Sequence, residues 1–164
     1  MKKLLLLSGI MLIVTSMTNI NGAEPSRPGI YQMLDQLVSK NDWPTIFAFL
    51  DVMKVSVNEY TDVYNRSLLY LAILNKNLLA AKTLLEKYNA NPNLKAMAHS
   101  FIFPMYPLML ACMKQDLPMI QLLLLHGANP YLKDNNNENC FEYRHAKNNP
   151  AILELLNTYP YQGD

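Results

Sequence analysis

Residues 106–130 decide the fold, and they read YPLMLACMKQDLPMIQLLLLHGANP. Two short apolar runs in this stretch are separated by a polar turn. Asp116 stands two residues before Pro118, a pattern typical of a helix start, because Asp accepts hydrogen bonds from free backbone N–H groups and proline is tolerated in the first turn. Gly127 can adopt the left-handed conformation that ends many helices. The stretch therefore predicts a helix, a tight turn and a second helix.

The same arrangement occurs four times along the chain. A polar residue, a spacer and a proline occur at residues 42–44, 116–118 and 148–150, and a copy without the proline follows Leu79. These copies begin at residues 44, 79, 118 and 150, in steps of 35, 39 and 32 residues, which suits a solenoid of paired helices. An upstream helix is predicted for each copy, at residues 30–38, 68–74, 107–113 and 140–146.

Two motifs in the third copy resemble ankyrin repeats. Residues 106–111, Tyr-Pro-Leu-Met-Leu-Ala, resemble the opening signature Thr-Pro-Leu-His-x-Ala, and residues 122–130 resemble the second helix closing on Gly-Ala-Asp. The second copy is in register, opening at Ser67 and closing at Ala90, with Asn89 near the place of the glycine. The resemblance covers about residues 30–160 and is strongest in the third copy.

The resemblance implies an all-α fold, an ankyrin-repeat solenoid of about four helix-turn-helix repeats. Their approximate limits are 30–58, 59–93, 94–130 and 131–160, with two fuller central repeats and two atypical capping repeats. End repeats are expected to be atypical because one face has no neighbour. We expect one continuous core that includes Leu84, Leu85, Leu122, Leu123, Leu155 and Leu156.

The N-terminus has the layout of a secretory signal peptide. Lys2 and Lys3 precede an apolar run from Leu4 to Val14, and a polar stretch leads to Ala23. We expect cleavage after Ala23, giving a signal peptide at 1–23 and a secreted or periplasmic protein. An uncleaved membrane anchor is the alternative. Residues 24–29 contain two prolines and a glycine and are predicted to be an exposed linker.

Composition and charge narrow the class of partner. The chain of 164 residues is 51% apolar and 16% charged, the balance of one folded domain. The formal net charge of +1 becomes 12 − 13, or −1, without Lys2 and Lys3. We therefore expect no nucleic-acid partner and no membrane partner after signal cleavage. We also expect a monomer when the protein is free.

No catalytic or metal-binding pattern is found. The nucleophile-elbow, phosphate-loop and dinucleotide motifs are missing, so we expect a protein that is not an enzyme and has no cofactor. The histidines are scattered, and none pairs with a cysteine at the compact spacing of a zinc module. No metal site is predicted.

The two cysteines, Cys112 and Cys140, are predicted to lie in the first helices of adjacent repeats. Packed helices are about 8–10 Å apart, beyond the roughly 7 Å between Cα atoms that a disulfide spans. We therefore expect two buried free thiols. A disulfide is the alternative, because an exported protein meets oxidising conditions.

The candidate binding surface is centred on the loop between Asn93 and Tyr106, which is about five residues longer than the spacing usual in ankyrin repeats. An idle loop would be polar, yet this one has several large apolar side chains, which predicts a contact patch. The alternative is that Ile102 and Phe103 fold back over the core. The candidate residues are Tyr64, Arg66, Tyr70, Leu74, Phe101, Ile102, Phe103, Met105, Tyr106, Met109 and Met113. The resemblance implies that Tyr70, Leu74, Met109 and Met113 are exposed, and the alternative is that they are ordinary half-buried surface residues.

The resemblance implies a protein that binds another protein. We expect an exported adaptor, inhibitor or host-directed factor. The alternative is a structural or protective protein for an envelope enzyme in the periplasm. A small hydrolase ranks last because no nucleophile stands near a plausible base.

Overall fold

The computed structural model describes residues 27–96 and 105–159. This part of the chain is helical and has no strand, only an isolated antiparallel bridge between Ala96 and Met105. The chain divides into two compact units, Met1–Ser56 and Val57–Asp164. The predicted signal peptide, its cleavage site and the first residues of the predicted linker lie outside the described residues.

The described residues of the first unit form a helix pair, α1 (Arg27–Ser39) and α2 (Trp43–Met53). Asp42 caps α2 as predicted, since its carboxylate accepts from the Thr45 N–H at 3.3 Å. The prediction that residues 24–29 form a linker is wrong from Arg27 onward, because α1 already begins there. Pro28 lies in the first turn of α1, where its missing N–H has no hydrogen bond to lose.

The described residues of the second unit form three helix pairs that stack in two layers. The first helices are α3 (Leu68–Leu74), α5 (Pro107–Met113) and α7 (Arg144–Lys147), and α3 packs on α5 and α5 on α7. The second helices are α4 (Leu78–Tyr88), α6 (Leu117–Leu125) and α8 (Pro150–Thr158), and they pack in the same order. The predicted limits 68–74 and 107–113 are confirmed.

The turn between paired helices has the same geometry in the first two pairs of this unit. Lys76 and Gln115 adopt left-handed conformations, with φ of 53° and 54°. Asn77 and Asp116 then cap the second helices, accepting from the N–H groups of Ala80 and Met119. Proline is therefore dispensable at this helix start, as the copy at Asn77 shows.

The second helices turn one face to the core. Leu84, Leu85, Leu123 and Leu156 are buried as predicted, but Leu122 and Leu155 are only half-buried. In α6 the inward positions are 119, 120, 123 and 124, so Leu124 takes the place predicted for Leu122. This spacing is the inward stripe of an amphipathic helix.

The fourth pair departs from the prediction of a first helix at 140–146. The structure has only the four residues of α7 there. Polar side chains shape the preceding turn, because Asn139 Oδ1 accepts from the Phe141 N–H at 3.0 Å and a Glu142 carboxylate oxygen accepts from the Asn139 N–H at 2.8 Å. Asn149, not Asn148, caps α8.

Asparagine side chains bridge the loops that follow successive pairs. Asn58 Nδ2 donates to the Asn89 carbonyl at 3.0 Å, and Asn58 Oδ1 accepts from the Asn91 N–H at 2.7 Å. The next such bridge is made by Asn93, which contacts Gly127 and Asn129 in the same way. These bridges align the loops of the second unit, from which the binding candidates extend.

Candidate functional site: the hairpin tips

The hairpin that precedes α3 has a tip built on Asp62. Its N–H donates to the Arg66 carbonyl at 3.1 Å, and its Oδ1 accepts from the N–H groups of Tyr64 and Arg66, both at 2.9 Å. Asn65 is left-handed, with φ of 54°. Three residues, 63–65, therefore cross this tip.

The hairpin that precedes α7 repeats this geometry on Asp134. Its N–H donates to the Glu138 carbonyl at 2.9 Å, and its Oδ1 accepts from the N–H groups of Asn136 and Glu138. Asn137 is left-handed, with φ of 63°. Asp134 is buried, and its Oδ2 accepts from the Tyr143 hydroxyl at 2.9 Å. Burial, and then this hydrogen bond, raise the pKa of Tyr143 well above its ordinary value.

The middle hairpin, which precedes α5, has the same backbone pairing but a longer tip. The Ala96 N–H donates to the Met105 carbonyl at 3.1 Å, as Asp62 and Asp134 do to their partners. Eight residues, 97–104, separate Ala96 from Met105, against three at the other tips. The predicted extension of five residues is confirmed. Phe101, Ile102 and Phe103 lie outside the described residues.

The two outer tips expose apolar and aromatic groups. Val63 is 76% exposed, and Tyr64 beside it is also exposed. Arg66 forms an ion pair with Asp62, and its guanidinium lies 4.7 Å from the Tyr64 ring centroid. Tyr131, at the base of the last hairpin, is exposed and stacks on Phe141 with ring centroids 5.5 Å apart.

The middle and last hairpins are joined by Lys95. Its Nζ donates to the Asn135 Oδ1 at 2.8 Å and lies 5.6 Å from the Tyr106 ring centroid. Tyr106 is half-buried. The lysine therefore holds the base of the extended loop against the neighbouring tip.

Three predicted site residues are buried, which corrects the expectation that they are available to a partner. Tyr70 is 4% exposed, Met109 0% and Met105 3%. Every residue from Leu68 to Ile73 is buried, as is every residue from Pro107 to Cys112, so α3 and α5 are covered on all sides. Burial also raises the pKa of Tyr70.

The remaining predicted residues fall at two separate places. Tyr64, Arg66 and Tyr106 lie at the hairpin end of the repeats. Leu74 and Met113 are half-buried at the opposite ends of α3 and α5, about 10 Å away along a seven-residue helix. The structure does not bring these two sets together.

The sequence prediction missed Val63, Lys95 and Tyr131. A recognisable signal for Val63 is the shared tip pattern, an Asp followed three residues later by Asn, at Asp62 and Asp134. Val63 directly follows Asp62 and crosses the tip. Tyr131 stands three residues before Asp134, and this pattern does not mark it. Lys95 has no local signal, because its partner Asn135 is 40 residues away.

In the part of the chain that the structure describes, no group of three or more His, Cys, Asp or Glu side chains is placed to hold a metal ion. None of the helices described is both long enough and apolar enough to cross a membrane. Cys112 and Cys140 are both buried, as predicted, and are free thiols in this structure.

Comparisons with known proteins agree with this geometry. Residues 105–135 match the family model Ankyrin repeat. The crystal structure of EF0377, an ankyrin repeat protein, is similar with a TM-score of 0.58 at 20% sequence identity, and the match covers 80% of this chain and 62% of that one. The chain thus spans less than two thirds of that protein's length. Ankyrin repeats generally mediate protein–protein interaction and are typically not enzymes. The chain therefore has the ankyrin-repeat fold, a solenoid of helix-turn-helix repeats.

Proposed function

We propose that this protein binds another protein through its hairpin tips, with the middle hairpin at the centre of the contact. The observation that carries the proposal is the length of that hairpin. Its stem pairs as in the neighbouring hairpins, but the tip has five additional residues and includes Phe101, Ile102 and Phe103. Large apolar groups on an extended loop are typical of a contact site.

The neighbouring tips support this placement because they are rigid and expose suitable side chains. The Asp62 and Asp134 turns fix the backbone of the outer tips, and Lys95 joins the middle hairpin to the last one. Rigid loops lose little conformational entropy on binding. Val63, Tyr64 and Tyr131 are exposed there, and tyrosine is frequent among the residues that contribute most to binding energy.

In this proposal, the first helices of the repeats contribute less to the contact with the partner than the hairpin tips do. Tyr70 and Met109 are buried, so a partner cannot contact them without unfolding the repeats. Leu74 and Met113 stand at the far ends of α3 and α5 and remain accessible only in part. The contact therefore extends across the tips rather than along the helices.

A photo-crosslinking experiment tests the location. A photoreactive phenylalanine analogue is placed at Tyr64, at Tyr131 and, as a control, at Leu79, which is exposed on α4. We expect the same protein to crosslink at Tyr64 and Tyr131 and not at Leu79. Crosslinking at Leu79 alone would contradict the tips as the binding surface.

We also propose that the protein acts outside the cytoplasm, as an adaptor, an inhibitor or a factor delivered to a host. The Lys2-Lys3 start and the apolar run to Val14 support export. Cell fractionation with N-terminal sequencing tests this, and we expect a mature chain that begins at Glu24. A full-length chain in the cytoplasm would contradict export.

The effect on the captured partner separates inhibition from the alternative role. If the partner is an enzyme, adding the purified protein lowers its activity when the protein is an inhibitor. In the alternative, a structural or protective protein of the periplasm, the enzyme keeps its activity and gains resistance to heat. Variants of the tips should remove either effect.

A further inference from the structure

The tip of the hairpin before α3 runs into a short sequence motif, Asn65-Arg66-Ser67. It matches the acceptor pattern for N-linked glycosylation, an Asn followed two positions later by Ser or Thr with no proline between them. Every other asparagine of the sequence is followed, two positions later, by a residue other than Ser or Thr. The motif therefore occurs once, and its acceptor is Asn65.

The structure places the Asn65 side chain where a sugar can be carried. Asn65 is exposed in the left-handed turn of the tip, and its backbone N–H donates to the Asp62 carbonyl at 2.9 Å. Its Oδ1 accepts from the Thr61 hydroxyl at 3.2 Å. Among the described residues, its Nδ2, the atom that bonds to a sugar, has no hydrogen-bond partner. A glycan is bulky and hydrophilic and belongs at the surface, so this nitrogen is a suitable attachment point.

Ser67, the third residue of the motif, is enclosed by the fold. It is 5% exposed, and its hydroxyl caps α3 by accepting from the Tyr70 N–H at 3.2 Å. The acceptor pattern requires this hydroxyl as well as the asparagine amide. The complete motif is therefore accessible only while the first turn of α3 is unformed.

We propose that Asn65 is a site of N-linked glycosylation, modified before α3 forms and no longer a substrate once Ser67 caps that helix. The donor is an oligosaccharide joined to a lipid through a pyrophosphate. The Asn65 Nδ2 bonds to the first carbon of the sugar, the bond from that carbon to the pyrophosphate oxygen breaks, and the lipid pyrophosphate leaves with the electron pair. One amide proton passes to a base of the transferase. The proposal rests on the proposed export, because the transfer occurs on secreted chains.

The glycan would restrict one end of the proposed binding surface. Tyr64 directly precedes Asn65, and both are exposed at the same three-residue tip. A sugar on Asn65 therefore competes with a partner for this tip. The middle and last hairpins carry no acceptor motif and stay open, so glycosylation limits the contact to those two hairpins.

Translation of the full chain in the presence of rough microsomes tests the site. A second chain has residues 1–23 replaced by a signal peptide of known efficiency, and protection from added protease reports translocation. We expect translocated chains to gain the mass of one oligosaccharide, which peptide-N-glycosidase removes. Asn65→Gln and Ser67→Ala should stay unmodified. Ser67→Thr should be modified like the wild type, because threonine keeps the acceptor pattern and a capping hydroxyl.

A variant that cannot form α3 tests the timing. Leu69→Pro leaves the motif intact and breaks the helix that follows it. Purified unglycosylated chains are incubated with solubilised oligosaccharyltransferase and its lipid-linked donor, and circular dichroism reports their folding. We expect transfer to Leu69→Pro and none to the folded wild type.

Two results would overturn the proposal. One is a translocated chain, with the replacement signal peptide, that stays unmodified at Asn65. The other is transfer to the folded wild type as fast as to Leu69→Pro, which would remove the role of the Ser67 cap. A chain that is glycosylated only with the replacement signal peptide would contradict the proposed export and still support Asn65 as the acceptor.

Discussion

Asn93 and Asn129 stand in successive loops and are joined by a hydrogen bond of 2.8 Å, from the Asn129 N–H to the Asn93 Oδ1. The Asn93 Nδ2 completes the bridge by donating to the Gly127 carbonyl at 3.0 Å. One amide side chain thus satisfies two backbone groups that no helix can satisfy, because they lie just beyond the end of α6. The bridge joins the loop after α4 to the loop after α6 through one side chain.

Removing that amide should therefore destabilise the stack. Asn93→Ala loses both hydrogen bonds, and we expect the free energy of unfolding to fall by about 1–2 kcal/mol. Urea unfolding followed by circular dichroism measures the change. Asn148→Ala, at an exposed position, is the control and should change it by less than about 0.5 kcal/mol. Equal effects of the two substitutions would contradict a structural role for the bridge.

The left-handed residue between α3 and α4 predicts that glycine changes stability in opposite directions at two positions. Lys76 has φ of 53°, a conformation that costs a side-chain-bearing residue about 1 kcal/mol relative to glycine. Lys76→Gly should therefore stabilise the protein by up to about 1 kcal/mol. Lys82→Gly, in the middle of α4, should destabilise it by about 1 kcal/mol, because glycine disfavours the helix. Thermal unfolding compares the two, and a loss of stability in both variants would argue against relief of strain at Lys76.

Two leucines of α6 test where the core is. Leu123 is fully buried, so Leu123→Ala should reduce the free energy of unfolding by about 2–5 kcal/mol. Leu125 is 60% exposed on the same helix, and Leu125→Ala should cost less than about 1 kcal/mol. Chemical denaturation of both variants measures the difference. A large effect at Leu125 would indicate that α6 is rotated relative to the orientation described.

The hydrogen bond from Tyr143 to Asp134 predicts a dependence on alkaline pH. Burial and this bond raise the pKa of Tyr143 above its ordinary value near 10 in the unfolded chain. The folded state therefore holds the proton more tightly, and the stabilisation is complete below about pH 10 and is lost as the pH rises toward the folded-state pKa. Tyr143→Phe should be less stable than the wild type at pH 8. The gap should narrow above pH 10 in urea unfolding, and a gap that stays constant would show that Tyr143 does not titrate with folding.

The extended loop predicts that substitutions within it abolish partner binding and leave the stability of the protein nearly unchanged. Phe101→Ala combined with Phe103→Ala should abolish capture of the partner and leave the Tm nearly unchanged, because the residues are expected to contact the partner rather than the core. Differential scanning calorimetry and a binding assay on the same sample check both parts. A fall in the Tm would instead assign these side chains to the core, as the alternative interpretation of Ile102 and Phe103 holds.

The helix pairs were predictable from the sequence because local signals mark their ends. Ser67, Asp116 and Pro107 stand at or next to helix starts, and Gly127 follows a helix end, so the limits 68–74 and 107–113 agree with the structure. These signals act within one or two turns of the chain. The extra length of the middle hairpin was predictable for a similar reason, because the number of residues between the flanking motifs gives the length of the loop.

The exposure of side chains was harder to predict from the sequence than the limits of the helices. Tyr70 and Met109 are buried because α3 and α5 are covered on all sides, and that depends on packing between elements, not on the pattern within a seven-residue helix. The loss of the predicted helix at Cys140 has a similar origin. Asn139 and Glu142 form a turn there through side-chain hydrogen bonds that compete with helical ones.

Among the described residues, the stem of the middle hairpin is closed by one backbone hydrogen bond, from the Ala96 N–H to the Met105 carbonyl. The outer hairpins depend on one aspartate each, and their three-residue tips leave little freedom of sequence. At the middle hairpin the described pair, Ala96 and Met105, is joined through backbone atoms, so the length and chemistry of the segment between them can change while the two residues stay paired. Evolution can therefore alter what the protein recognises without changing the residues that make it fold. A designer can do the same by grafting a foreign peptide between Ala96 and Met105.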